Sequence, residues 1–285
     1  MLVLLGPSFA GGDDAYQRLA KVTGMLAYDL RTRLKPGIWG LIKMLADAVE
    51  AERLATALQA EGFPAVMVPR EVALDPARPI VGLQGLEIQG QMLTLQLRER
   101  AMLIPVAALS SIVRAEAQVG KHSPLRASTS SATSSSTFRA VVPSSADLQV
   151  FRESGPPGNF EAFAAADLHF HSVTWIARID ARSFDFMALG IGAASPAAAL
   201  DTLADRLALL AKVRVDRAAR ASSVASFAQQ AGARGTAVPP TAVPAQRGRE
   251  VAGDDRLDPY SRIIGEADRI LAQALALAAG AAARA

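Results

Sequence analysis

Cysteine is absent from this 285-residue chain, histidine occurs three times, and only five of its thirty cationic residues are lysines. The missing thiols exclude a disulfide framework, a thiolate nucleophile and any zinc–thiolate site. Aromatic residues are few, at 5%, yet hydrophobic residues reach 51%, enough to bury one or two modest cores. Long apolar runs are also missing. The opening Met1-Leu2-Val3-Leu4-Leu5 has no basic flank and stops at Gly6-Pro7, unlike a secretory signal. The stretch from Ile270 to Ala283 is apolar but dominated by alanine, and it falls short of the roughly 20 residues that span a bilayer. A cytoplasmic protein is the expectation.

Net charge is small as well, +3 with a pI near 9.5. A basic pI points first to nucleic acid, but its distribution points away. Residues 1–116 hold twelve cations and twelve anions, and residues 138–219 hold eight and nine, so the excess lies in the segments between and after them. No basic groove is implied. Arg18, Lys21, Arg31, Arg33 and Lys35 do fall close together, but Asp13, Asp14 and Asp29 are interspersed, as on a mixed solvated surface.

Composition divides the chain. Ten of the fifteen residues from Ser123 to Thr137 are Ser or Thr, so this stretch buries nothing to offset its ordering entropy and reads as a flexible linker. Residues 220–256, with Gln229-Gln230, Pro239-Pro240 and scattered glycines, read as disordered. The expected plan is a first domain over 1–74, a β meander over 75–116, a linker over 117–137, a second unit over 138–219, a disordered stretch over 220–256 and an amphipathic tail helix over 257–285. The fold class is α+β.

In the first domain Leu2–Leu5 reads as a strand ended by Gly6-Pro7. A helix runs from Asp13-Asp14 to Gly24, and Leu26, Leu30 and Leu34 mark one face of a second. The bulky run from Ile38 to Leu45 reads as a strand. Asp47-Ala48-Val49-Glu50 has capping-box spacing and starts a helix with Ala51, Leu54 and Leu58 on its buried stripe and Gly62 at its end. Ala65–Val68 completes a β-α-α-β-α-β order. This order, with Thr23-Gly24, Lys35-Pro36, Ala51-Glu52-Arg53-Leu54-Ala55 and Glu61-Gly62-Phe63-Pro64-Ala65-Val66, resembles the C-terminal domain of the bacterial ribosomal stalk protein over about 70 residues. The resemblance implies the fold. That family uses lysines along its first helices to bind factors, whereas only Arg18, Lys21, Arg31 and Arg33 occupy those helices here, so the ribosomal role is not carried over.

From Pro79 the pattern changes to short strands: Ile80–Ile88, Met92–Leu97 and Met102–Ile104, with Leu93, Leu95 and Leu97 alternating with polar residues. Leu168, Phe170, Ile179 and Phe184 repeat Leu93, Leu95, Ile104 and Leu109 at a constant offset of 75, which raises a duplicated β module. Ser195-Pro196 starts a helix with Leu200, Leu203, Leu207 and Leu210 as its apolar stripe, up to Val213. In the tail, Tyr260, Ile263, Ile264, Ile270 and Leu271 recur at helical spacing. That helix folds back on the body or docks on another chain.

Chemistry-bearing motifs are sparse. Gly6 and Gly11 have P-loop spacing, but Gly12 and Asp13 stand where Lys and Ser/Thr are required. His169 and His171, spaced i, i+2 with Asp167 on the same strand face, are the candidate metal ligands, and Asp180 or Asp185 would supply a third. The bland alternative is a solvent-facing polar edge opposite Leu168 and Phe170. No Gly-x-Ser-x-Gly elbow occurs and His122 falls in the Ser/Thr linker, so no nucleophile constellation emerges. The expectation is a non-catalytic protein-interaction or adaptor protein without cofactor. A ribosome- or RNA-associated factor is the alternative, and a metal-dependent enzyme a third reading. The partner expected is a protein rather than nucleic acid or a membrane, and the candidate contact residues are Trp39, Arg31, Arg33, Lys35, Tyr260, Ile263 and Ile264, with buried core as the default for Trp39.

Overall fold

The computed structural model describes residues 1–120, 160–217, 223–228 and 257–282, whose fold is α+β. Met1–Ala117 together with Phe163–Ala285 make one compact unit, and Gln118–Ala162 another. The N-terminal elements follow the expected order: β1 (Leu2–Leu5), α1 (Asp13–Thr23), α2 (Ala27–Arg33), β2 (Gly40–Met44), α3 (Ala48–Ala60) and β3 (Ala65–Val68). All four residues of β1 are buried, which suits the central place it takes in the antiparallel sheet β2-β1-β3. Gly24 closes α1 with a left-handed φ of 69°, and the Asp47 carboxylate caps α3 by accepting from the Val49 N–H at 2.9 Å. Val3, Leu5, Leu19, Leu30, Leu34 and Leu58 meet in one core. Leu26 does not join them. It is 71% exposed, because it is the extended N-cap of α2 rather than part of its first turn.

The β-rich part departs more from expectation. The run from Ile80 to Ile88 is two strands, β4 (Ile80–Gly82) and β5 (Gly85–Gln89), in different sheets. β5 starts an antiparallel meander with β6 (Met92–Gln96) and β7 (Ala101–Pro105). β4 instead pairs in parallel with β10 (Ile176–Asp180), and the Leu83 N–H that follows it donates to the Arg178 carbonyl. A strand not foreseen, β8 (Leu109–Gly120), continues into the first residues of the expected linker. With β9 (Phe160–Phe170) and β11 (Val215–Asp216) it completes a five-stranded sheet of order β11-β8-β9-β10-β4. Strands from both sides of the Ser/Thr-rich segment therefore share one sheet.

The sheet's first face, the meander and α4 (Pro196–Ala211) enclose the second core, which includes Leu93, Leu95, Leu168, Phe170, Ile179, Leu200, Leu203 and Leu207. Ser195 caps α4 by accepting from the Ala198 N–H at 3.2 Å, and Pro196 is its first residue. Leu210, expected in the stripe, is 38% exposed. The offset of 75 carries no common register. Leu93 sits opposite Ile104, but Leu168 sits opposite Ala177 rather than Ile179.

Within the stretch expected to be disordered, residues 223–228 form a short helix, α5, that buries Val224, Phe227 and Ala228. The last element is the 26-residue α6 (Leu257–Ala282). The Ser/Thr-rich segment, the start of the second unit, and residues 218–222 and 229–256 lie outside the described residues. Among the described residues no helix is long and apolar enough to cross a membrane.

Candidate functional site

The reading of the Asp167 and His169 strand face as a solvent-facing edge does not hold, because that second face of the five-stranded sheet is buried. Strand alternation puts Asp167 and His169 of β9, Arg178 of β10, Ser111 of β8 and Asp216 of β11 there, and each is at most 6% exposed. Asp167 and Arg178 are cross-strand partners. Their side chains form a two-pronged pair, Nε to Oδ1 and Nη2 to Oδ2, both at 2.7 Å. Burial opposes the ionised Asp167 carboxyl, but Arg178 outweighs it and holds the pKa below the ordinary carboxylate value. Burial likewise opposes the charged guanidinium, and Asp167 and Asp258 raise its pKa above the ordinary arginine range.

The cover is α6. Its first turns are buried on nearly every side, from Leu257 through Ala267, as befits an internal helix. Asp258 Oδ1 accepts from Arg178 Nη1 at 2.7 Å. Ser261 Oγ lies 3.0 Å from His169 Nε2. Tyr260 donates its hydroxyl to Asp216 Oδ1 at 3.1 Å. Between them Gly265 packs against the imidazole, and any Cβ there would collide with His169 Nδ1. Burial drives the His169 pKa down to about 4, with Arg78 and Arg178 adding to it and Asp167 opposing, so the ring is neutral at pH 7.

Other side chains of α6 reach the N-terminal elements. Asp268 Oδ1 accepts from the Trp39 indole N–H at 2.9 Å and faces Arg214 at 3.5 Å. Burial raises the Asp268 pKa against the pull of Arg214 and Trp39. Arg262 donates to the carbonyls of Ala73 and Arg78. Glu266 bridges two guanidiniums, those of Arg78 and Arg269. Burial raises its pKa, but these hydrogen bonds and charges bring it below the ordinary value.

A serine, a histidine and an aspartate thus converge without forming a catalytic triad. Asp167 clasps Arg178 instead of orienting His169 Nδ1, and Ser261 is completely buried, so no substrate carbonyl reaches its hydroxyl. Nor do the two candidate histidines act together. His171 lies in the exposed turn after β9, whereas His169 is buried beneath α6. Asp180 is paired with Arg182, and Asp185 caps the turn at Met187. Among the described residues no three His, Asp or Glu side chains stand close enough to hold a metal ion.

The candidate contact residues divide by burial. Trp39, Tyr260, Ile263 and Ile264 are at most 1% exposed, inside their own chain. Arg31, Arg33 and Lys35 are on the surface, with Arg31 paired to Asp13 at 2.7 Å. Sequence reading missed Arg178, Ser261, Gly265 and Asp268. A signal was present: 258, 261, 265 and 268 repeat at helical spacing as a stripe of small or acidic residues inside an otherwise apolar helix.

At one edge of the covered face a cleft of about 560 Å³ opens. It is lined by Arg78, Arg269, His169, His171, the hydroxyl-bearing residues Ser110, Ser172 and Thr174, the aromatic pair Phe170 and Trp175, and Gly265. Among the described residues no carboxylate lines it. No protein-family model, curated protein or solved structure matches the chain.

Proposed function

We propose that this chain is a non-catalytic protein-interaction protein whose contact surface is the outer half of α6. The observation that carries this reading is the contrast along one helix. Up to Glu266 and Ala267 the helix is buried and ion-paired, and from Ala272 to Leu277 every residue is exposed, with Leu275 at 63% and Leu277 at 76%. From Ile270 to Ala283 no side chain carries charge. A ligand recognised by charge, such as RNA, has nothing to engage there, and the partner that fits is a protein offering an apolar groove or helix. The buried charges support the same reading, since each is held by another group of this chain and serves to lock the helix base.

The test uses the full chain and the double variant Leu275→Asp/Leu277→Asp. A stoichiometric protein partner recovered from the source cell's extract should be lost with the double variant and kept with Leu103→Asp, a control at another exposed leucine (64%). Equal recovery with both variants, or salt-sensitive RNA binding abolished by reversing Arg31, Arg33 and Lys35, would refute the reading.

A further inference from the structure

We infer that the cleft beside α6 is a binding site for a small organic phosphate, with the phosphoryl group held by Arg78 and Arg269 and an apolar body laid toward Trp175. The site is independent of the exposed leucines of α6.

Glu266 accepts from Nη2 of Arg78 and from Nε and Nη2 of Arg269. This fixes both guanidiniums beside the cleft and leaves Nη1 of each without an acceptor among the described residues. Glu266 itself is 6% exposed and does not line the cleft. Asp75 stands 3.8 Å from Arg78 Nε and is likewise absent from the lining. The hydroxyls of Ser110, Ser172 and Thr174 and the His171 ring make no side-chain hydrogen bond among the described residues. Two guanidinium edges and three hydroxyls exceed what the two oxygens of a carboxylate can serve, and they suit the three free oxygens of a phosphomonoester.

A volume of about 560 Å³ exceeds what inorganic phosphate needs and falls in the range of small-ligand pockets, about 300–1,000 Å³. Phe170 and Trp175, with ring centroids 6.1 Å apart, and Val173 supply an apolar wall. The pinned arginines lose little side-chain freedom on binding, because Glu266 has already ordered them.

The experiment exploits the two tryptophans. Trp39 is fully buried and Trp175 lines the cleft, so intrinsic fluorescence reports on the cleft. Phenyl phosphate titrated into the full chain should change the fluorescence saturably, and the change should vanish with Trp175→Phe. Arg269→Gln should weaken binding about tenfold or more, as expected for losing a charge-assisted contact. Its thermal midpoint should stay near wild type, since Arg269 is about a third exposed. Calorimetry on Arg78→Gln provides a second variant and readout. The proposal is overturned by no saturable response, by benzoate binding as tightly as phenyl phosphate, by inorganic phosphate doing so, or by unchanged affinity in a folded Arg269→Gln protein.

Discussion

Arg178 shows what a single side chain does for this interior. It is 1% exposed and satisfies Asp167 and Asp258 together, so its removal strands a buried carboxylate without a counter-charge. Breaking such a pair costs about 3–5 kcal/mol, a large share of the stability of an ordinary domain. Arg178→Met should therefore lower the urea midpoint sharply at pH 7. Adding Asp167→Leu should recover part of the loss by removing the orphaned charge. If the double variant is no more stable than the single one, the pair's charge balance is not what holds the two strands to α6.

At the scale of elements, the docking of α6 depends on a close approach that one glycine permits. In an exposed helix, Gly→Ala stabilises by up to about 1 kcal/mol. At Gly265 a Cβ meets the His169 ring, and overpacking of that kind costs about 1–3 kcal/mol. Steric conflict wins, and Gly265→Ala should destabilise in chemical denaturation. His169→Ala in the same chain should relieve the clash, so that the two substitutions are non-additive in a double-mutant cycle. Additive losses would mean that the glycine serves something other than this contact. Elements also show how much could be read in advance. The N-terminal order, the Asp47 and Ser195 caps and both long helices followed from local pattern. The split of Ile80–Ile88 into two sheets did not, because β4 is drawn off by β10, whose strand lies far along the chain.

For the whole molecule, His169 adds to the acid limb of stability that the lowered pKa values of Asp167 and Glu266 also produce. Its pKa is about 4 in the fold against an ordinary 6.5, so between those values the unfolded chain takes up a proton that the folded one refuses. Stability therefore falls as pH drops through this window, and the gap corresponds to about 3 kcal/mol. Asp258 and Asp268, whose pKa values burial raises, work in the opposite sense at the acidic end. Urea midpoints measured at pH 7 and pH 5 should differ clearly in wild type and much less in His169→Gln. An equal drop in both would assign the acid sensitivity to other groups.

Local physics determined a good deal from sequence alone: the α+β class, the alternating faces of β6 and β9, the helix caps and the apolar stripe of α4 all rest on neighbours a few residues apart. Strand parity correctly separated Asp167 and His169 from Leu168 and Phe170. Parity states that two faces differ, not whether a face is covered. That was decided by α6, which brings Ser261 to His169, Glu266 to Arg78 and Asp268 to Trp39 across 92, 188 and 229 residues of chain. Contacts so distant leave no period in the sequence. Only the folded chain, weighing the desolvation of a polar strand face against the ion pairs and hydrogen bonds that compensate it, turns an apparent solvent edge into a buried interface.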